Sequence, residues 1–294
     1  MKKFDLALGK HNLILGEHTC IMGILNVTPD SFSDGGKFFT FNDAVAQGLK
    51  LFEDGADILD IGGESTRPFA DAVSAEEEIE RVVPVIEKLT RHVSIPISID
   101  TTKADVARQA IKAGASMIND VSSLRLDPAM ADVAAEYGVP VVLMHMLETP
   151  KTMQVSPSYD DLIGEIKVFL ENAIEYAENN GIPRSKIIID PGLGFGKTVE
   201  HNLLLIKCLH EYLFLGVPVM IGPSRKSFIR NILKDKTEKD ISPDLAVVET
   251  GSQAAVAAAV LNGAHIVRSH NVSNTRAVVK IIDAIKNVHN SSQE

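Results

Sequence analysis

The sequence predicts a single (β/α)₈ barrel with a short N-terminal hairpin. Segments typical of strands and helices alternate eight times along the 294 residues. Such alternation predicts a parallel sheet, and eight units predict a closed barrel. A third observation is that several predicted strands end in a polar side chain. The length would also allow two average domains, but one barrel accounts for the whole chain, so we predict one domain over residues 1–294.

The clearest strand is Ile187-Ile188-Ile189-Asp190. Three β-branched apolar residues in a row predict a strand that is buried on both faces. The strand ends on a carboxylate, and Pro191-Gly192 breaks it at once. Because an unpaired charge is costly to bury, we expect Asp190 to lie at the open end of the sheet, facing hydrogen-bond donors.

The other elements follow from hydrophobic periodicity and from turn residues. Residues 4–19 predict the hairpin. The predicted barrel strands cover residues 21–26, 57–62, 95–100, 115–119, 139–144, 186–190, 217–221 and 264–268. The predicted helices cover residues 42–54, 75–91, 103–113, 128–137, 159–180, 199–212, 225–233, 245–262 and 273–287.

Two helix starts carry specific capping predictions. Asn42 is predicted to cap the first helix, and Ser74 with Glu77 is predicted to form a capping box on the second. The alternative architecture is a doubly wound open sheet. It is disfavoured because no predicted strand lacks its helix and no dinucleotide-binding loop is present.

Two phosphate-binding motifs fail on the segment after Asp190. Gly196-Lys197-Thr198 matches the end of a P-loop, but Pro191 stands where the leading glycine is required. The dinucleotide fingerprint fails as well, because Lys197 or Val199 stands where its last glycine should be.

Composition excludes several classes of partner. The net charge is −10 and no block of basic residues occurs, which argues against nucleic acid. Cys20 and Cys208 are the only cysteines and have no metal-like or redox spacing. The start of the chain lacks the apolar core of a signal peptide, and no apolar run reaches a membrane span. We therefore expect a soluble cytoplasmic protein.

Polar residues collect at the predicted strand ends, where the active sites of such barrels lie. They are Asn26, Asp60, Asp100, Asn119, His145, Asp190, Lys226, Arg268 and His270. Two Asp and an Asn predict an acceptor-rich pocket floor. Lys226, Arg268 and His270 follow the last two strands, where these barrels often bind phosphate.

This pattern predicts a flat nitrogenous ring with an anionic tail as the substrate. A metal cage is disfavoured, because Asp100 and Asp190 have no His pair at ligand spacing.

The same motifs carry a family resemblance. They are residues 23–36, 60–68, Ser98-Ile99-Asp100, Ile118-Asn119-Asp120-Val121, Asp190-Pro191-Gly192-x-Gly194-Phe195, Ser224-Arg225-Lys226-Ser227 and Arg268-x-His270. Over nearly its full length the chain resembles the dihydropteroate synthases. The resemblance implies that 6-hydroxymethyl-7,8-dihydropterin diphosphate is joined to p-aminobenzoate, with release of diphosphate. It also implies Mg²⁺, a homodimer, and a target for sulfonamides.

The resemblance implies a role for each matching residue. Those for the pterin diphosphate are Thr66, Asp100, Asn119, Asp190, Lys226, Arg268 and His270. Those for p-aminobenzoate are Phe32, Thr66, Pro68, Phe195 and Ser227. The catalytic set is Asn26, Asp34, Lys226, Arg268 and His270, with Asn26 as the Mg²⁺ ligand.

The chain departs from the family pattern in three places. Asn271 stands where Asp is usual, Phe69 stands where Gly is usual, and Leu147-Glu148 follows Met146 where a polar residue and Gly are common. We expect these changes to affect loops. Phe69 in particular would favour the closed form of its loop, or would pack on the barrel rim instead.

Two other functions remain open from the sequence. One is a pterin-binding methyltransferase barrel that presents methyl-tetrahydrofolate to a corrinoid protein. The other is a catalytically silent pterin-binding paralogue. Asn26, Lys226, Arg268 and His270 argue against the silent paralogue.

Overall fold

The structure is a computed structural model that describes residues 2–28, 40–65, 73–147, 153 and 156–288. Two antiparallel strands come first, β1 (Phe4–Leu8) and β2 (His11–Leu15). Their buried side chains Leu6, Leu8 and Leu15 pack among the inward-facing residues of the barrel strands. The predicted hairpin is therefore confirmed, and it covers the amino-terminal end of the barrel.

Eight parallel strands form the barrel wall. They are β3 (Cys20–Asn26), β4 (Ile58–Gly62), β5 (Ile97–Asp100), β6 (Met117–Asp120), β7 (Val141–Met144), β8 (Ile187–Asp190), β9 (Met220–Ile221) and β10 (Ile266–Ser269). From β3 to β8 each strand pairs with the next one in the chain, and β10 pairs with both β3 and β9. Ile189 and Val219 bridge the remaining gap, where the Ile189 amide donates to the Pro218 carbonyl over 3.0 Å. This order confirms the barrel and excludes the open doubly wound sheet.

Helices cover the outside of the wall. The helices α1 to α9 run over Phe41–Glu53, Ala75–Thr90, Ala104–Ala113, Ala129–Tyr137, Leu162–Asn179, Val199–Lys207, Ser227–Leu233, Ala246–Leu261 and Val272–Asn287. Within the described residues, no helix combines the length and the apolar character needed to cross a membrane.

Both capping predictions need correction. Thr40, not Asn42, caps α1: its hydroxyl accepts the Asp43 amide, and the Asp43 carboxylate accepts the Thr40 amide. Ser74 caps α2 as predicted, by accepting the Glu77 amide over 3.2 Å. The Glu77 carboxylate instead pairs with Arg81, so only half of the predicted box forms.

The predicted helix over residues 199–212 is also shorter than expected. It ends at Lys207, and a 3₁₀ helix, Leu209–Leu215, continues the chain. Three residues per turn place Leu209, Tyr212 and Leu215 on one face, and all three are buried. The 3₁₀ helix therefore keeps these three side chains together on the buried face.

Side chains alternate between the two faces of each barrel strand. In β4, Ile58 packs with the interior cluster, whereas Leu59 and Ile61 pack against the helices. By the same alternation, Asp60 and Gly62 face the interior. The strand thus places a carboxylate inside the barrel, just below its carboxyl-terminal rim.

Candidate active site

The predicted polar strand ends meet along one edge of the barrel. In the strand register, Asn26 lies opposite Gly62, Gly62 opposite Asp100, and Asp100 opposite Asn119. Asp190 lies opposite Met144 two strands further on. Four predicted site residues are therefore arranged along one rim, as parallel strand ends require.

Arg268 lies at the centre of this arrangement, between two carboxylates. Its Nε donates to Asp60 Oδ2 over 2.6 Å, and its Nη2 donates to Asp100 Oδ2 over 2.7 Å. Burial alone would lower the pKa of the guanidinium, but Asp60 and Asp100 raise it above its ordinary value. Burial raises the pKa of the Asp100 carboxyl, and the Arg268 charge opposes that shift. The arginine thus keeps a charge on the pocket floor that would otherwise be costly to bury.

Asp60 is a residue that the sequence placed among the polar strand ends without assigning it a substrate contact or a partner. It is completely buried, and its Oδ2 also accepts a hydrogen bond from Asn119 Nδ2 over 2.9 Å. The available signal was a charged residue at an inward position of an otherwise apolar strand. Its partners lie 59 and 208 residues away in the chain, so the sequence could not identify them.

The segment after Asp190 turns sharply at Gly192. The Gly192 amide donates to Asp190 Oδ1 over 2.7 Å, and the residue has a φ of +74°. A Cβ at this position would lie 1.9 Å from the carbonyl oxygen of His145. Only glycine fits such a close approach in the left-handed region, which explains the Pro-Gly pair after the strand.

Positive charges surround the Asp190 carboxylate. Burial raises its pKa, while the Gly192 amide and the charges of Lys226, Lys197 and Arg268 oppose the shift. Lys226 Nζ also lies 4.1 Å from the centre of the Phe195 ring. Lys226 immediately precedes α7, which begins at Ser227. The structure therefore brings Asp190, Phe195, Lys226 and Ser227 to one side of the rim.

Lys197 and His145 form a second pair that sequence reasoning missed. Lys197 Nζ lies 2.9 Å from His145 Nδ1 and donates to the Phe195 carbonyl over 2.9 Å. Burial lowers the pKa of Lys197 to about 7 and that of His145 to about 2. The imidazole is thus neutral and accepts from the amine, and the pair fixes the backbone that carries Phe195.

His270 is oriented by Ser224. The Ser224 hydroxyl accepts the His270 amide over 3.3 Å and lies 3.0 Å from His270 Nδ1. An oxygen that accepts the amide is free to donate its own hydrogen to Nδ1, which leaves the proton of the neutral ring on Nε2. In that tautomer, the Nε2 of His270 is an N–H donor just beyond the end of β10.

Some predicted residues lie outside the described residues. They are Phe32, Asp34, Thr66, Pro68 and the divergent Phe69.

The side chain of Asn26 is chemically suited to serve as a single protein ligand for Mg²⁺. It is half-buried at the end of β3, and an amide oxygen is a ligand type that Mg²⁺ accepts. In the described part of the chain, the one group of three His, Cys, Asp or Glu donors lying close together is His18, Cys20 and Asp57. That group lies at the opposite, amino-terminal ends of β3 and β4, so ligands at the rim would have to come largely from substrate and water.

The fold and this rim define an α/β-barrel enzyme whose strand ends carry hydrogen-bond acceptors and buried cations. The chain matches the pterin binding enzyme family over residues 22–270. It is 46% identical to the dihydropteroate synthase of Synechocystis sp. over 265 residues, which are 90% of this chain and 89% of that protein. It is 44% identical to that of Escherichia coli K12 over 264 residues, 90% of each chain.

Solved structures agree with these relatives. The Xanthomonas albilineans dihydropteroate synthase with 4-aminobenzoic acid superposes with a TM-score of 0.88 at 45% identity, covering 98% of this chain and 100% of that one. The Yersinia pestis enzyme in a sulfonamide drug complex gives a TM-score of 0.90 at 41% identity, covering 97% and 100%. The chain belongs to the pterin-binding enzyme family and, within it, to the dihydropteroate synthases, a family of transferases.

Proposed function

We propose that this enzyme condenses 6-hydroxymethyl-7,8-dihydropterin diphosphate with p-aminobenzoate to give 7,8-dihydropteroate and diphosphate. The observation that carries the proposal is the pocket floor. Asp100, Asn119 and Asp190 present acceptors within one rim, and Arg268 and Lys226 lie beside them. A solved relative from Xanthomonas albilineans, 43% identical with a TM-score of 0.85, holds 7,8-dihydropteroate.

The floor suits the donor-rich edge of a pterin ring. The adjacent ring N–H and amino group of the pterin donate to the Asp190 carboxylate, and Asp100 and Asn119 take the remaining edge. Lys226 donates to the acceptors of the ring. Hydrogen bonds to a charged partner contribute about 1.5–3 kcal/mol each, so these few contacts account for specific binding.

The reaction transfers a carbon from oxygen to nitrogen. The bond between the exocyclic carbon and the diphosphate oxygen breaks, and the diphosphate leaves with the electron pair. The dihydropterin ring delocalises the positive charge at that carbon. The lone pair of the aromatic amine then forms the C–N bond, and the nitrogen loses a proton. Because this amine is unprotonated at pH 7, no strong general base is required.

Donors at the rim stabilise the leaving group. A guanidinium carries five N–H donors, and Arg268 directs only part of this set at Asp60 and Asp100. His270 adds an oriented N–H from the end of the same strand. Thr66, and Asp34 as a further catalytic residue, complete the proposed set, and both lie outside the described residues.

Magnesium is part of the proposal, with Asn26 as its protein ligand. A single amide oxygen suits Mg²⁺, which retains waters and takes phosphate oxygens of the substrate. The ion would neutralise the charge that grows on the departing diphosphate.

The p-aminobenzoate would lie beside Phe195, with its carboxylate at Ser227 and with Phe32 and Pro68 as further walls. Phe195 is held from both sides, by Lys226 at its ring and Lys197 at its carbonyl. The sulfonamide complex of the Yersinia pestis relative supports the further proposal that sulfonamides compete for this place.

We also propose a homodimer that forms through the outer faces of α6, α7 and α8. These helices line an apolar groove, and Leu203, Ile232 and Leu233 are exposed along it. Contiguous apolar surface of this kind marks an interface more often than a solvated face. A second copy would cover it symmetrically, as most soluble oligomers do. The unpaired thiols of Cys20 and Cys208 favour the cytoplasm as its location.

One assay tests the proposed reaction. The purified chain is incubated with pterin diphosphate and p-aminobenzoate, with and without Mg²⁺, and dihydropteroate is measured. Formation of dihydropteroate only with Mg²⁺ is expected. Binding of a pterin without any product would instead favour the methyltransferase barrel or the silent paralogue.

A further inference from the structure

We propose that Asp60 is a positioning residue for the pterin site, and that it fixes the orientation of the Asn119 amide. This inference rests on the proposed function. It concerns a residue that does not touch the substrate, because Asp60 is completely buried. Its position explains why: Gly62 is level with Asp100 at the rim, and Asp60 lies two residues earlier on the same inward face.

The contacts of Asp60 determine what its neighbours present. One oxygen, Oδ2, accepts from Asn119 Nδ2 over 2.9 Å and from Arg268 Nε over 2.6 Å. A carboxylate facing a permanently charged guanidinium only accepts hydrogen bonds. The Asn119 amide must therefore turn its nitrogen, and not its oxygen, toward Asp60. Among the described residues, no donor reaches the other oxygen, Oδ1.

Asparagine alone does not define this orientation. Its oxygen and nitrogen have nearly the same shape, and a rotation by half a turn exchanges acceptor for donor. Held by Asp60, Asn119 offers a ligand its oxygen and its second N–H in one fixed order. A ring edge with the matching order of donors and acceptors binds, whereas a reversed amide would set donor against donor.

The effect of Asp60 on the Asn119 amide can be separated from its effect on the charge of the site, because Arg268 has a second carboxylate partner. If Asp60 loses its charge, the guanidinium still has Asp100 as a partner at 2.7 Å. Among the described residues, the Asn119 side chain has no second acceptor of this kind, and its Nδ2 donates to Asp60. The principal effect of changing Asp60 should therefore pass through Asn119 to the ring.

A double-mutant cycle tests the inference, with 6-hydroxymethylpterin, which lacks the diphosphate, as the probe in calorimetry. Asp60→Asn should weaken ring binding at least ten-fold in the wild-type background. In an Asn119→Ala background, the same change should cost less than about three-fold, because the amide through which Asp60 acts is gone. Thermal unfolding establishes that each variant is folded.

Ser98→Ala is the matched control. Ser98 lies opposite Asp60 in the register, is completely buried, and its hydroxyl has no partner among the described residues. The Ser98→Ala substitution removes a polar atom from the same layer of the barrel and leaves Asn119 and Arg268 in place. The affinity for 6-hydroxymethylpterin should therefore stay within two-fold of wild type. If Asp60→Asn does not fold, Asp60→Ala enters the same cycle.

Three results would overturn the inference: undiminished binding by Asp60→Asn, an equal loss in both backgrounds, or an equal loss in Ser98→Ala. Equal losses would mean that Asp60 supports only the barrel interior. A wild-type chain that binds no pterin ring would refute the proposed function itself, so the two failures are distinguishable.

Discussion

At the scale of single residues, the charged side chains of the site are paired with side chains of opposite charge. Arg268 joins Asp60 and Asp100, and Lys226 and Lys197 lie close enough to Asp190 to stabilise its charge. Opposite charges on the floor thereby offset one another. Under the proposed function, Asp100, Asp190, Arg268 and Lys226 have a second role, since these groups would face the substrate.

We expect Asp190→Asn to weaken pterin binding at least ten-fold while the fold is retained. The amide replaces half of an acceptor pair by a donor, which opposes the donors of the ring and removes charge assistance. Calorimetry with 6-hydroxymethylpterin measures the effect. Asp283→Asn is the control, because Asp283 also accepts a backbone amide over 2.7 Å, from Thr19 at the opposite edge. Unchanged affinity in folded Asp190→Asn would reject the assignment of Asp190 to the ring.

Arg268→Lys should lower kcat/KM for pterin diphosphate by two orders of magnitude or more. A guanidinium bonds to Asp60 and Asp100 through two different nitrogens and keeps further donors, whereas an ammonium has one nitrogen and cannot span both. Steady-state kinetics at saturating p-aminobenzoate provide the measurement. Turnover close to that of the wild type would show that a positive charge alone is sufficient.

At the scale of elements, the loop from Gly192 to Lys197 depends on backbone geometry and on one buried amine. Gly192 brings the loop against the His145 carbonyl, and Lys197 ties the Phe195 carbonyl to the His145 ring. Hydrophobic periodicity could not predict either feature, because both arise from contacts between His145, just after β7, and the loop after β8.

Gly192→Ala should destabilise the protein by several kcal/mol more than Gly138→Ala. Both glycines have positive φ, +74° and +60°, so each substitution incurs a backbone penalty of about 1–2 kcal/mol. Only at Gly192 does the new Cβ collide with backbone, because nothing lies within 4 Å of a Cβ at Gly138. Chemical denaturation compares the two variants, and equal losses would show that the loop after β8 moves freely.

Lys197 should make stability rise with pH. Its pKa is about 7 in the fold and 10.5 ordinarily, so between these values the unfolded chain binds a proton that the folded chain does not. Over this window Lys197→Met should lose stability relative to wild type as pH rises, by on the order of 1 kcal/mol per pH unit. Urea denaturation at pH 7 and pH 10 measures this difference. Parallel pH dependence of the two proteins would place the proton on Lys197 throughout the window.

At the scale of the whole molecule, the barrel separates its two ends. The hairpin β1–β2 packs against the amino-terminal end, while the polar residues lie along the carboxyl-terminal rim. The outer helices contribute a third feature, the apolar groove of α6, α7 and α8. The hairpin, the polar rim and the groove therefore lie on different faces, and substitutions on one face should leave the others intact.

The proposed dimer predicts that wild type sediments at twice the 31.8 kDa chain mass and that Ile232→Glu sediments as a monomer. A carboxylate in the groove would be buried without a partner at the interface. Val168→Glu is the control, since Val168 is 55% exposed on α5 and Ile232 is 51% exposed in the groove. A monomeric wild type in analytical ultracentrifugation would contradict the proposal.

The sequence by itself determined the order of elements, the barrel and the strand-end residues. These depend on local patterns: runs such as Ile187 to Ile189, turn residues after each strand, and the repetition of the unit. Some observed element boundaries differ from the predicted ones. At Leu209, Tyr212 and Leu215, which form one buried face, a 3₁₀ helix stands where the end of an α-helix was predicted.

Only the tertiary structure decided the partners within the site. Asp60 looked like one strand-end residue among several, and Lys197 looked like the remnant of a failed P-loop. Their contacts join β4 to β6 and β10, and the loop after β8 to β7. Hydrogen bonds between residues 52 to 208 positions apart depend on barrel closure and register, which local propensity does not encode.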